Sequence, residues 1–309
     1  MREFNSIITI LVFYLSLVPL ITSAHEIQKE SSLTLNDESI NVNFVEQLKE
    51  IAISGKLTVL HLDDFVSQIN SQIYQITDSS GKIYELNFKT KAPNLKSGSF
   101  ISTKGTLTDE QLVITDTPGD NLQIINPPNL NQNLRGEQKT LVIMINFQND
   151  QSEPFTREQI AYVMSDAPNS VDKYYRDNSD NLISFSTDIT GWHTIPFNSG
   201  AGCNFTSWAD AADAVATAEG KDLSDYRFKM YVFPPTIGCY FGGAADLNGN
   251  RSWINGNTSI PAYAHELGHN LGRQHASSLD CGDKAIDYYY NCDSHEYGDI
   301  TDNMGAPTL

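Results

Sequence analysis

The stretch "HELGHNLGRQH", His265 to His275, gathers three of the chain's seven histidines beside a glutamate, side chains that bind metal and move protons. On an α-helix, residues four apart share a face, so His265 and His269 can present both imidazoles to one ion. Glu266 lies about 100° round the helix, off that shared face, where its carboxylate reaches a water on the metal's open side rather than the metal itself. Gly272 allows the chain to leave the helix at positive φ, and the turned chain returns His275 as a third ligand. Three neutral nitrogens and a water satisfy tetrahedral zinc while leaving one exchangeable position, the arrangement of catalytic rather than structural sites. The chemistry this predicts is hydrolysis. Zinc lowers the pKa of its water to roughly 7. Glu266 takes the water's proton as it attacks a scissile carbonyl and passes it to the leaving amine, and the metal stabilises the oxyanion.

The elements that must position these residues are legible around them. "SIPAYA" starts the helix, and Leu267 and Leu271 are its packing residues. Upstream, "KTLVIMINF" (Lys139 to Phe147) is a near-continuous apolar run, as in a buried strand. Thr156 with Gln159 is a capping-box signature before "EQIAYVM", and a second helical stretch runs through "SVDKYYRD". "LISFSTDITGW" and "YRFKMYVF" read as strands, and "SWADAADAVATAEG" as an Ala-rich helix ending at Gly220. Strands alternating with helices predict an α/β layered domain over residues 138–309.

Residues 25–135 differ. They contain no cysteine and carry short period-2 runs, "KLTVLHL", "QIYQITD", "KIYELNF", "SFISTKGTL" and "QLVITD", separated by turn signals such as "DSSGK" and "PGDN". That spacing predicts a small antiparallel barrel or sandwich. "NPPNLNQNLRG", Asn126 to Gly136, has the composition of a linker. Ahead of both, Arg2, the apolar run Ile7 to Ile21 and the small residues Thr22, Ser23 and Ala24 form a signal peptide over 1–24, so the protein is expected to be secreted, with no stable membrane insertion after cleavage. An even count of cysteines fits an oxidising compartment. Sequence leaves three pairings open, and local loop closure favours Cys203–Cys239 with Cys281–Cys292. A net charge of −18 argues against a nucleic-acid partner, since phosphate binding needs a basic surface.

The extended zinc motif resembles that of the metzincin metalloendopeptidases, and within them the chain is most similar to the gametolysin-like peptidases. The likeness lies in "HELGHNLGRQHA", "YGDITDNMG", "GWHTI" and "RSWING", over roughly residues 138–309. The resemblance implies an α/β (α+β) metzincin-like catalytic domain with zinc helix and Met-turn, preceded by a small β-rich N-terminal domain acting as leader or pro-region. It implies zinc ligands His265, His269 and His275, Glu266 as acid and base, and Met304 as the supporting turn beneath the metal. It further implies that "RSWIN" (Arg251 to Asn255) is the edge strand that pairs with an extended substrate. Some relatives have a tyrosine ligand two residues after the turn methionine; Ala306 stands there in this chain. The family's C-terminal helix has no counterpart after Gly305, so a C-terminally truncated domain is expected. A pro-segment cysteine on the zinc is impossible without cysteines in 25–138, which leaves a carboxylate or steric cover as the route to latency.

The reading is therefore a monomeric, secreted zinc metalloendopeptidase acting on protein or peptide substrates; a non-catalytic exported binding protein with a retained cleft is the alternative. His193 and His295 read as surface or packing residues, and His61 carries no assignment. The acidic run Asp280, Asp283, Asp287, Asp293, Glu296, Asp299 and Asp302 is a candidate for calcium, against a solvated acidic loop.

Overall fold

The structure is a computed structural model that describes residues 50–108, 111–114, 121–128, 134–200 and 202–305. The signal-peptide reading of residues 1–24 and Ala306 lie outside the described residues. All described strands fall within one compact unit, Gln47–Leu309.

The first six strands are β1 (Glu50–Asp64), β2 (Ile69–Asp78), β3 (Ile83–Phe88), β4 (Phe100–Thr108), β5 (Gln111–Ile114) and β6 (Leu122–Asn126). β1 pairs with β4 along its first half and with β2 along its second, while β3 and β5 run parallel. The order β1-β2-β3-β5-β4 thus closes on itself as a small barrel, with β6 added outside β4. Closure is possible because β1 is 15 residues long and can change partner midway. The alternating residues Ile53, Leu57 and Val59 turn inward and meet Ile76, Leu86, Ile101 and Leu112 in the barrel core.

The second group is β7 (Gly136–Phe147), β8 (Ile183–Ile195), β9 (Phe228–Phe233), β10 (Gly243–Asp246) and β11 (Arg251–Asn255), ordered β8-β7-β9-β11-β10. The first four in that order are parallel, and β10 is antiparallel to β11. Helix α3 (Phe205–Ala218) covers one face, where Trp208, Ala209, Ala212 and Ala216 meet Leu141, Ile143, Ile145 and Phe147. The other face carries α1 (Arg157–Ala161), α2 (Val171–Asn178) and α4 (Ile260–Asn270), against Val142, Met144, Met230, Val232 and Ile254. Coverage of both faces is why β7 reads as an unbroken apolar run rather than an alternating one. Full burial of side chains of this size stabilises by about 1.5–3 kcal/mol each.

Two local expectations meet the structure directly. Thr156 and Gln159 form the reciprocal capping box, and the disulfides are Cys203–Cys239 and Cys281–Cys292. One expectation is overturned. Arg251–Asn255 is not an edge strand, because β11 lies between β9 and β10. Trp253 and Ile254 are buried on opposite faces of it, and Arg251 is engaged by Asp210 and Asp213 at 2.7 Å each. The outer strand of this group is β10, and β1 of the barrel adds to it antiparallel, pairing Leu60 with Asp246 and Asp63 with Gly243.

Candidate metal centre

Helix α4 starts at the N-cap Ser259, whose hydroxyl accepts from the Ala262 amide, with Pro261 in its first turn. Pro261 to Asn270 are all buried, so the His265–His269 face is sealed from water. The helix ends in a Schellman closure: the Arg273 amide bonds the Gly268 carbonyl and the Gly272 amide bonds the His269 carbonyl, each at 2.9 Å. Gly272 sits at φ +89°, the conformation its glycine identity predicts, and the chain turns back there to deliver His275. Asn270 ties the helix to the sheet by donating to the carbonyls of Asp246 and Arg251, at the ends of β10 and β11.

The three histidines converge with Asp63 of β1, their ligand atoms all lying within 4.8 Å of one another. His275 Nε2 is 2.8 Å from Asp63 Oδ1, and His269 Nε2 and His265 Nε2 are 3.2 and 3.6 Å from Oδ2. The far side of each ring fixes its orientation. His265 Nδ1 faces the Asn303 carbonyl at 2.8 Å, and His269 Nδ1 faces the Arg273 carbonyl at 2.9 Å. A carbonyl can only accept, so both Nδ1 atoms carry hydrogen and both rings turn Nε2 toward the centre. His275 Nδ1 lies 2.6 Å from Glu296 Oε1. All three Nε2 atoms are buried, and His265 Nε2, 3.6 Å from the carboxylate, has no hydrogen-bond partner. Three imidazole nitrogens and a carboxylate converging in a dry site are the nitrogen and oxygen donor set that a divalent cation takes. The residues therefore fit a metal.

Electrostatics follow the burial. Burial and the neighbouring His269 lower His265 to a pKa of about 3. Burial pushes Asp63 up, but His269 and His275 outweigh it and hold the carboxyl well below its ordinary range. Burial would lower His275, but Asp63 and Glu296 raise it. Glu266 is raised well above the carboxylate range by burial and then by the charge of Asp63. Its two carboxylate oxygens have no partner and pack against β10, where a Cβ on Gly243 would overlap Oε1. The room for Glu266 is thus made by a glycine on the neighbouring strand.

Beneath the helix, Met304 is buried, and a Cβ on Gly268 would overlap its sulfur. The turn that carries Met304 is pinned by three bonds: Asp302 Oδ1 accepts from the Met304 amide, Arg273 reaches Asp302 Oδ2, and the Ala276 amide bonds the Met304 carbonyl. The same turn supplies the Asn303 carbonyl to His265. Tyr175 buttresses the helix by donating to the Ala264 carbonyl at 2.7 Å.

The sequence-expected residues His265, His269, His275, Glu266, Gly272 and Met304 are thus brought together. His61, Asp63 and Tyr297 were not expected at the site. Asp63 and His61 alternate along "LHLDD" with Val59, all three buried on one face of β1; two titratable groups at the buried period of a strand were the available signal. The His61 ring lies 4.6 Å from that of His269, and burial with His269 and His275 lowers its pKa to about 3. Tyr297 packs its ring 4.2 Å from the His275 ring and donates its hydroxyl to Asp63 Oδ1. Among the described residues the acidic run forms no such cluster. Asp280, Asp287 and Asp299 accept bonds from their own loops or from Lys284, and Asp302 binds Arg273, which leaves the calcium expectation without support.

No helix among the described residues is long and apolar enough to cross a membrane. A solved structure described as a chaperone–substrate complex aligns at TM-score 0.35 and 14% identity over 76% of this chain and 37% of its own, a likeness too weak to carry an argument. No curated protein matches the sequence. The second half of the chain is that of a peptidase: a family model described as Gametolysin peptidase M11 matches residues 139–309, more than half of the length. The chain belongs to the gametolysin peptidase family.

Proposed function

We propose that the protein is a secreted, zinc-dependent endopeptidase in which His265, His269 and His275 hold the metal and Glu266 is the general base. The observation that supports this reading is the convergence of three imidazole Nε2 atoms beside a buried, unpartnered glutamate. Zinc held there would supply Lewis-acid polarisation of a scissile carbonyl and acidify water. Glu266 takes a proton from the attacking water and returns it to the leaving amine; burial, which favours its protonated form, suits the second of these transfers. Tyr297 aims its phenol at the oxygen position that Asp63 Oδ1 marks, so it can donate to the carbonyl oxygen as charge develops. Met304 and Asn303 hold the ligand helix from below. The disulfides and the signal-like N-terminus support secretion, and family membership supports protein or peptide substrates.

The test uses protein cleaved in the linker between Asn126 and Gly136 and then separated from the barrel, so that β1 no longer covers β10, assayed on casein beside Glu266→Gln. The substitution is expected to lower turnover by about 10²–10⁴ while metal content stays at one ion per chain. Equal hydrolysis by the two proteins, or none by either in the presence of zinc, would refute the enzyme reading and favour a binding protein.

A further inference from the structure

A catalytic metal site needs a position that water or substrate can enter. In this chain a carboxylate from outside the peptidase segment faces the three imidazoles. Asp63 belongs to barrel strand β1, its side chain is fully buried, and it lies closest of all to His275. It is held rather than merely near. The Tyr297 hydroxyl donates to it, and the Gly242 amide bonds its carbonyl at 2.8 Å. Burying a carboxylate without a cation is strongly unfavourable, so this placement makes physical sense for a group directed at a metal.

The strand that carries Asp63 also occupies the sheet. Leu60 to Asp63 pair antiparallel with Gly243 to Asp246, covering β10 through main-chain bonds, the mode by which an extended peptide adds to a sheet edge. On either side, His61 packs on His269 and the Phe65 ring lies 5.3 Å from that of His265. One strand therefore puts a carboxylate among the three imidazoles, pairs along β10, and packs over the rings of His265 and His269.

We propose that β1 is a built-in inhibitor: Asp63 is a fourth protein ligand that closes the metal site, and the barrel strand bars extended substrates from β10. This rests on the metal reading above. Because Asp63 is tethered and already seated, an outside ligand must compete with a group at very high effective concentration.

The experiment uses the full chain loaded with cobalt(II), whose visible spectrum reports coordination, titrated with azide as an exchangeable anion. Wild type is expected to hold one cobalt and to show little spectral response, whereas Asp63→Ala binds azide about tenfold or more tightly and starts from an altered spectrum. Asp63→Asn, closer in shape, serves as the second variant, and near-ultraviolet circular dichroism checks that each is folded. If folded variants and wild type respond to azide alike, the inhibitor is refuted while the metal centre stands. If wild type takes up no cobalt or zinc at all, the metal reading falls and takes this inference with it.

Discussion

Gly268 sits inside helix α4, where alanine would ordinarily be preferred by about 1 kcal/mol. Here the sign should reverse. A Cβ at Gly268 overlaps the Met304 sulfur and comes within 3.3 Å of Met304 Cε and Tyr175 Oη. To restore ordinary contact at about 3.5–4.0 Å the sulfur must retreat by more than about 1 Å, and Met304 is buried with little room to do so. Overpacking of this kind destabilises by about 1–3 kcal/mol, which exceeds or offsets the propensity gain. Gly268→Ala should therefore lower the melting temperature by up to about 4–8 °C, at about 2–4 °C per kcal/mol for a unit of this size. Any shift of the Met304 turn also moves the Asn303 carbonyl that orients His265, so metal affinity should fall by about tenfold or more. Thermal unfolding and a zinc titration measure both. The cycle with Met304→Ala supplies the decisive reading: alone that change should destabilise by about 2–5 kcal/mol, but combined with Gly268→Ala the effects should fall short of their sum by about 1–3 kcal/mol. A stabilised Gly268→Ala, or strictly additive effects, would refute the contact as the reason for the glycine.

Two further outcomes are expected. Tyr297→Phe, in linker-cleaved protein, should reduce kcat about a hundredfold with metal content intact, because it removes a donor to the developing oxyanion and keeps the ring on His275; an unchanged kcat/KM would remove Tyr297 from the chemistry. Asp246 is raised from 3.8 to about 7 by burial, and its Oδ1 has no partner. With the folded pKa above the unfolded one, the folded state binds more protons between about pH 4 and 7, so this group lowers stability as pH rises through that window. Asp246→Asn should flatten that slope and stabilise by up to about 4 kcal/mol at pH 8, read from urea midpoints at pH 4 and 8; parallel pH profiles for the two proteins would contradict it.

Much of the site was legible because its determinants are local. The spacing of His265 and His269 is a property of the helix itself, and the glycine at position 272 announces the turn that returns His275. The buried β7 run and the capping box at Thr156 are likewise short-range patterns. The edge-strand expectation failed for a different reason. What makes Arg251–Asn255 internal is the antiparallel neighbour β10 just ahead of it, and "GGAAD" is too small and too plain in pattern to announce itself as that strand. The calcium candidate found no support, since acidic composition does not say whether carboxylates converge or bond to their own loops.

The sequence by itself determined that three histidines and a glutamate are gathered within eleven residues, and that period-2 strand patterns lie in the first half and alternating strand and helix patterns in the second, since each depends on residue type at fixed separation along one element. Only the tertiary structure decided what faces those histidines. Asp63 reaches them from far upstream because β1 pairs with β10, Glu266 has room because Gly243 lies opposite, and Tyr297 closes the group from the loop after β13 (Asp293–His295). Such meetings depend on sheet register between distant segments, and no periodicity within either segment encodes them.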